Sequence, residues 1–330
     1  MDGLRFIAIA LVAIAHFAVG IGRPIHAGYF GVDLFFVLSG FLITEGLLLE
    51  KDKAQSRWSI IRLFYLKRFL RIFPIYYLVL FITFLTYPLF KEFWLYAITF
   101  TVNFFSKYCG DERLGAFSHL WSLSAEEQFY LFWPFLMIFV RGRKATFFAI
   151  VTLMLASMIH FVAAKEFYML SGRMFSFCFG AGLAYIKLYH PRLYSGRIKT
   201  TFFSIVLLAA AVMYFHPHLG LSIVSLALVY MASNNGFAGP FRWLVENKTS
   251  VYIGKISYGI YLYHMPIGVL ISELYFQAAW KNVDFSFMPI LKYNPWVVEL
   301  PLYSLLSIGV AHLSYVYIEA PLLKLKSRLK

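Results

Sequence analysis

The stretch DGLRFIAIALVAIAH, residues 2–16, sets an arginine and a histidine at the two ends of an otherwise apolar run. At 100° per residue their separation amounts to about three full turns, so Arg5 and His16 share one stripe of a helix, about 16 Å apart along its axis. A neutral imidazole can take a proton from a hydroxyl as a bond forms, because its pKa lies near ambient pH, and it can also act as a nucleophile. The plainer use of the same pair is a snorkelling arginine and a histidine bonded to a neighbouring carbonyl.

Other polar residues fall into comparable patterns. In SHLWSLSAEEQFYLFWP, His119, Ser122, Glu126 and Tyr130 stand at offsets of 0, 3, 7 and 11, one face of a helix, with Glu127 about a quarter-turn away. Such a face either ties helices together by hydrogen bonds or lines an interior site. SYGIYLYHMPI puts Ser257, Tyr261 and His264 on one face ahead of Pro266, and Asp33 stands inside GVDLFFVLSGFLITEG. Arg68 and Arg71 are one turn apart with Lys67 beside them, a pair of guanidinium forks suited to phosphate groups. Their surroundings, SRWSIIRLFYLKRFLRI at 56–72, suit equally well an amphipathic helix lying on anionic lipid heads.

Several chemistries find no support in the sequence. It contains no HExxH, HxxEH or CxxC spacing for a metal, no GxSxG elbow and no Gly-rich phosphate loop. Cys109 and Cys178 suggest neither a disulfide framework nor a thiolate site.

The elements that would carry these residues follow from composition. With 61% hydrophobic, 20% aromatic and 14% charged residues and a mean hydropathy of +0.70, the chain reads as a polytopic, all-α membrane helix bundle. Apolar runs of membrane-crossing length predict ten spans, at 4–21, 29–49, 73–90, 119–140, 145–164, 173–189, 200–216, 218–233, 251–276 and 296–319. The segments 56–72 and 91–106 are expected as interfacial helices. A net charge of +14 could suggest nucleic acid, but no soluble basic domain is evident, and topology accounts for it better. With both termini cytoplasmic, 22 of the 30 Lys and Arg residues fall on the inner side, including the ends at Arg197, Arg328 and Lys330. Counting 91–106 as a span would invert everything after it. No repeat or linker divides residues 1–330, so a single membrane domain is expected, with its first span retained rather than cleaved as a signal peptide.

In order along the chain, DGLRxIA…H, GVDLFFVLSGFLI, KRxxRIxPxYY, HLWSLSxEEQFYLxWP, SYGIYLYHxP and YxxExP resemble the membrane-bound acyltransferase 3 family from Asp2 to about Pro321. The resemblance implies a ten-helix enzyme of the cell (plasma or inner) membrane. It would move an acyl group, often acetyl, from cytosolic acyl-CoA to a hydroxyl of a carbohydrate or glycolipid on the far side. It implies that His16 is the essential histidine and Arg5 the first-helix arginine. Arg68 and Arg71 would be the RxxR pair, and Glu126 and Glu127 the paired carboxylates. The chain looks like the stand-alone form, without an SGNH hydrolase-like domain.

On that reading His16 acts as general base, or as the carrier of an acyl-histidine, with Glu126 orienting it or bonding the acceptor. Arg68, Arg71 and Lys67 hold the CoA phosphates, no metal takes part, and Asp33, His119, Ser122, Glu127, Tyr261 and His264 support the site. Trp280, Tyr293 and Trp296 could stack on sugar rings. The competing class is a transporter or proton-coupled carrier using the same buried polar residues, although no inverted repeat is evident.

Overall fold

The computed structural model describes residues 1–53, 56–195, 198–286 and 288–326, which are helical with no strand among them. Arg197, Arg328 and Lys330, used above in the charge asymmetry, lie outside the described residues. Among the described residues, ten helices of 15 residues or more run in chain order. They are α1 (Asp2–Phe17), α2 (Ala27–Lys51), α3 (Arg57–Thr86), α4 (Leu120–Phe139), α5 (Arg143–Ala164), α6 (Leu170–Tyr189), α7 (Ile198–Phe215), α8 (Pro217–Ser233), α9 (Ser257–Ile271) and α10 (Trp296–Ser314). By length and composition α2, α3, α5 and the run Trp296–Lys324 that begins with α10 suffice to cross a membrane.

Three expected boundaries are corrected. The interfacial helix at 56–72 and the span at 73–90 are one 30-residue helix, α3, which continues through Pro74. Proline removes a backbone donor and normally breaks a helix; α3 nonetheless runs through Pro74, and near it the Tyr258 hydroxyl donates to the Ile72 carbonyl at 3.2 Å. Arg68 and Arg71 therefore sit within a long packed helix and not on a separate surface helix. The segment 91–106 is no single helix either. It is divided among a 3₁₀ turn, Pro88–Glu92, and two short helices, Trp94–Ile98 and Val102–Cys109. Thr99 and Thr101 turn their hydroxyls onto the carbonyls of Leu95 and Tyr96, and Phe100 takes a positive φ of 52° between them. Local side-chain bonds of this kind compete with helix continuation. Finally, the ninth span begins as a separate short helix, Lys248–Lys255, and continues as α9 after a break at Ile256.

Two helices meet closely enough to form a rigid centre. At Gly40 in α2 a Cβ would lie 1.9 Å from the Phe177 carbonyl oxygen, and at Gly180 in α6 one would lie 2.0 Å from that of Val37. Only glycine allows the two backbones to approach this far, the small-residue packing common between membrane helices. At the same interface Asp33 and Arg173 form an ion pair at 2.6 Å with both side chains fully buried, and the Ser176 hydroxyl also donates to Asp33 at 3.2 Å. Asp33 thus ties α2 to α6 and lines neither of the two larger cavities described below. Helix α1 packs against α2 on one side and against α9, α10 and the Lys248–Lys255 helix on others, so its polar stripe is enclosed by protein.

Candidate active site

Two cavities lie along the polar stripe of α1, one at Arg5 and one at His16. The one at the Arg5 end of α1, called inner only for its place on that helix, about 790 Å³, is lined by Arg5 of α1, Ser39 of α2, Arg68 and Arg71 of α3, Ser122, Glu126, Glu127 and Tyr130 of α4, and Ser257, Tyr258 and Tyr261 of α9. The outer one, about 1100 Å³, is lined by His16, Arg23, His26, Tyr29, Asp111, His119, Trp121 and Tyr168. Val32 and Tyr261 line both, so these two side chains form the partition between them.

In the inner cavity three guanidinium groups converge from two helices. Arg5 pairs with Asp2 at 2.5 Å, and Arg68 lies over the Tyr130 ring with its guanidinium carbon 4.5 Å from the centroid. Tyr130 is itself held by Glu126, whose Oε1 accepts from both the Tyr130 and the Ser39 hydroxyls. The four-residue spacing of Glu126 and Tyr130 makes that bond available within one turn of α4. Glu126, expected to orient His16 or bond the acceptor, contacts Ser39 and Tyr130 in the arginine-lined cavity. Glu127 lines the same cavity, and its Oε1 is buried without a hydrogen-bond partner. Lys67 does not line it.

At the His16 end of α1 three histidines come together. His16 Nδ1 lies 3.0 Å from His264 Nε2, and His264 Nδ1 lies 2.7 Å from the carbonyl oxygen of Tyr261. The hydrogen-bond network assigns the tautomers. A carbonyl can only accept, so His264 Nδ1 carries a hydrogen. With both rings neutral, His264 Nε2 is then an acceptor and His16 Nδ1 its donor. The lone pair of His16 is left on Nε2. His119, at the start of α4, packs edge-on to the His264 ring with centroids 4.9 Å apart, and neither of its ring nitrogens reaches a partner. The Tyr261 hydroxyl donates to the His119 carbonyl at 2.8 Å and is also bonded to the Ser122 hydroxyl.

The Acyl_transf_3 family, described as an acyltransferase domain, matches residues 1–316. The chain belongs to this family. It is similar to the peptidoglycan O-acetyltransferase OatA of Listeria monocytogenes, with 28% identity over 98% of this chain and 55% of that protein. It is also similar to the O-acetyltransferase OatA of Staphylococcus aureus strain NCTC 8325, with 26% identity over 98% of this chain and 57% of that protein. The chain spans about half the length of these curated relatives. No solved structure matches it.

In this acyltransferase-family chain the two polar faces read from spacing are brought to the cavities. Ser122, Glu126 and Tyr130 face the inner one and His119 the outer, while Ser257, Tyr261 and His264 run from the inner cavity across the partition to His16. Other participants were not singled out. Ser39 contacts Glu126, Tyr258 lines the inner cavity, and Asp111 accepts from the Tyr168 hydroxyl on the wall of the outer one. Burial, together with that bond to Asp111, pushes the Tyr168 hydroxyl above its usual range. Asp111 and Tyr168 belong to loops 57 residues apart, a pairing that no local pattern announces. Arg173 did carry a signal, a charge inside the apolar run SGRMFSFCFG.

Proposed function

We propose that the chain is a multi-pass O-acyltransferase of the cell membrane. It transfers an acyl group, acetyl in the simplest case, from cytosolic acyl-CoA to a carbohydrate hydroxyl at the extracytoplasmic face. The observation that carries this reading is the chain of contacts from Tyr261 O through His264 to His16, which leaves a basic nitrogen on His16 in the cavity that adjoins the arginine-lined one at Val32 and Tyr261. The names of the similar proteins, O-acetyltransferases that in one case act on peptidoglycan, support a carbohydrate acceptor. Ten crossings with both termini inside would put the Arg68 and Arg71 end of the bundle toward the cytosol.

The residues divide the work as follows. Arg68 and Arg71, with Arg5, bind the CoA phosphates by charge-assisted hydrogen bonds. Glu126 positions Arg68 through Tyr130. The pantetheine arm passes the partition at Val32 and Tyr261 and presents its thioester to His16. There the acceptor O–H proton moves to His16 Nε2 as its oxygen bonds to the thioester carbonyl carbon. The C–S bond then breaks, and the same proton leaves with the CoA thiol. His264 is a positioning residue: it fixes the tautomer of His16, as the aspartate does for the histidine in a serine protease triad.

Purified protein in lipid nanodiscs, given labelled acetyl-CoA and a carbohydrate acceptor, tests this reading. Acceptor-dependent release of CoA that His16→Ala abolishes in a folded, inserted protein is the expected result. Retained transfer in that variant overturns the assignment of the base, and acetyl-CoA flux without transfer would favour a carrier.

A further inference from the structure

His16 also borders a second outward cavity, of about 680 Å³, on the side of α1 that faces α9 and α10. Its polar lining is Ser272, Glu273, Gln277, Glu299 and Tyr303, and it contains no Lys or Arg. The end of α9 builds one wall. After Ile271 the helix widens into a π-helical turn, Ser272–Phe276, a feature often found at functional sites, which carries Ser272 and Glu273. Glu299, in the first turn of α10, supplies a second carboxylate from the other wall. Neither carboxylate has an ion-pair partner among the described residues. Tyr303 is only 3% exposed and lines this cavity with its hydroxyl beside Ser272. Two neighbouring hydroxyls, Ser272 and Tyr303, can each donate to or accept from a hydroxyl-bearing ligand. Its ring packs on Phe17, with centroids 5.3 Å apart, and on Phe276, 6.0 Å apart. Trp280 stacks on Phe276 at 5.1 Å.

Charge separates the two outward cavities. The one beyond the Val32 and Tyr261 partition carries Arg23 and His26, with its one carboxylate, Asp111, engaged by the Tyr168 hydroxyl, and it adjoins the arginine-lined route, which suits an anionic donor. The one at Glu273 and Glu299 repels anions but offers carboxylate acceptors, an amide and a phenol to uncharged hydroxyls. Resting on the acyltransferase reading, we propose that the Glu273–Glu299 cavity is the acceptor site. It binds a neutral, polyhydroxylated glycan and delivers one hydroxyl to His16 from the side opposite the acyl-CoA.

The probe is the neutral N-acetylglucosamine tetramer, used with the wild-type chain and with Glu273→Gln, Glu299→Gln and the double variant in nanodiscs. The double variant is expected to raise KM for the tetramer about tenfold or more, the scale of one to two lost charge-assisted hydrogen bonds, while Kd for CoA stays within twofold. A second measurement needs no turnover. The tetramer is expected to protect Glu273 and Glu299 of the wild-type protein from carbodiimide modification read by mass spectrometry. Absence of protection overturns the proposal. So does an unchanged KM in the double variant, or a rise produced instead by Arg23→Ala in the other cavity. Protection in a wild-type protein that releases no CoA would refute the acyltransferase reading and leave the glycan site standing.

Discussion

Replacing His264 tests the tautomer argument most directly. His264→Leu keeps much of the ring's volume at a position 1% exposed but removes the acceptor that His16 Nδ1 meets at 3.0 Å. The His16 Nδ1–H then loses its partner, at about 1–3 kcal/mol. At 1.36 kcal/mol per tenfold, that alone is roughly a 5- to 150-fold loss in kcat. If the ring also settles with its hydrogen on Nε2, the loss approaches the roughly 10⁴-fold effect of a wrong histidine tautomer in the serine protease triad. His264→Gln can place an amide oxygen near the former Nε2 and is expected to recover at least tenfold over His264→Leu. The assay is acceptor-dependent CoA release, with kcat and the donor KM measured separately, beside thermal unfolding of each variant. A fall in kcat at unchanged donor KM fits a positioning role. Equal losses in the two variants, or a kcat for His264→Leu within threefold of wild type, would refute the reasoning.

Other outcomes follow from the geometry. Arg68→Ala and Arg71→Ala are each expected to weaken CoA binding by about tenfold, on the scale of a lost charge-assisted contact, measured by calorimetry; an unchanged Kd would return these residues to a lipid-facing role. Glu126→Ala releases the Ser39 and Tyr130 hydroxyls and is expected to raise the acyl-CoA KM several-fold, whereas Glu127→Gln removes no hydrogen bond from Glu127 Oε1 and should raise it less. Arg173→Met leaves Asp33 buried without its ion partner, at a cost of about 3–5 kcal/mol; the double change with Asp33→Leu should recover much of the lost thermal stability, and no recovery would mean the two act separately. Gly180→Val places side-chain atoms where a Cβ already lies 2.0 Å from the Val37 carbonyl oxygen and is expected to prevent α2 and α6 from docking, seen as loss of a monodisperse protein in detergent.

Local spacing was sufficient for everything that lies along one helix. The three-turn interval of Arg5 and His16, the 0, 3, 7, 11 face of α4 and the 0, 4, 7 face of α9 all turn toward the interior as the helical repeat requires. Composition likewise determined an all-helical bundle, since a chain this apolar must satisfy its backbone hydrogen bonds internally. The boundary at 72/73 was misread because α3 runs on through Pro74, and that within 91–106 because the Thr99 and Thr101 hydroxyls turn back onto nearby carbonyls where an apolar run suggested one helix. Only tertiary structure decided which groups meet. His16 and His264 lie 248 residues apart, Glu126 and Ser39 87, and Asp33 and Arg173 140. A helix's periodicity fixes the direction of each side chain about its own axis but says nothing about the neighbour it will face, because that is set by how the helices pack. For the same reason the sequence alone presented Glu126 as a partner for His16, while packing gave that place to His264.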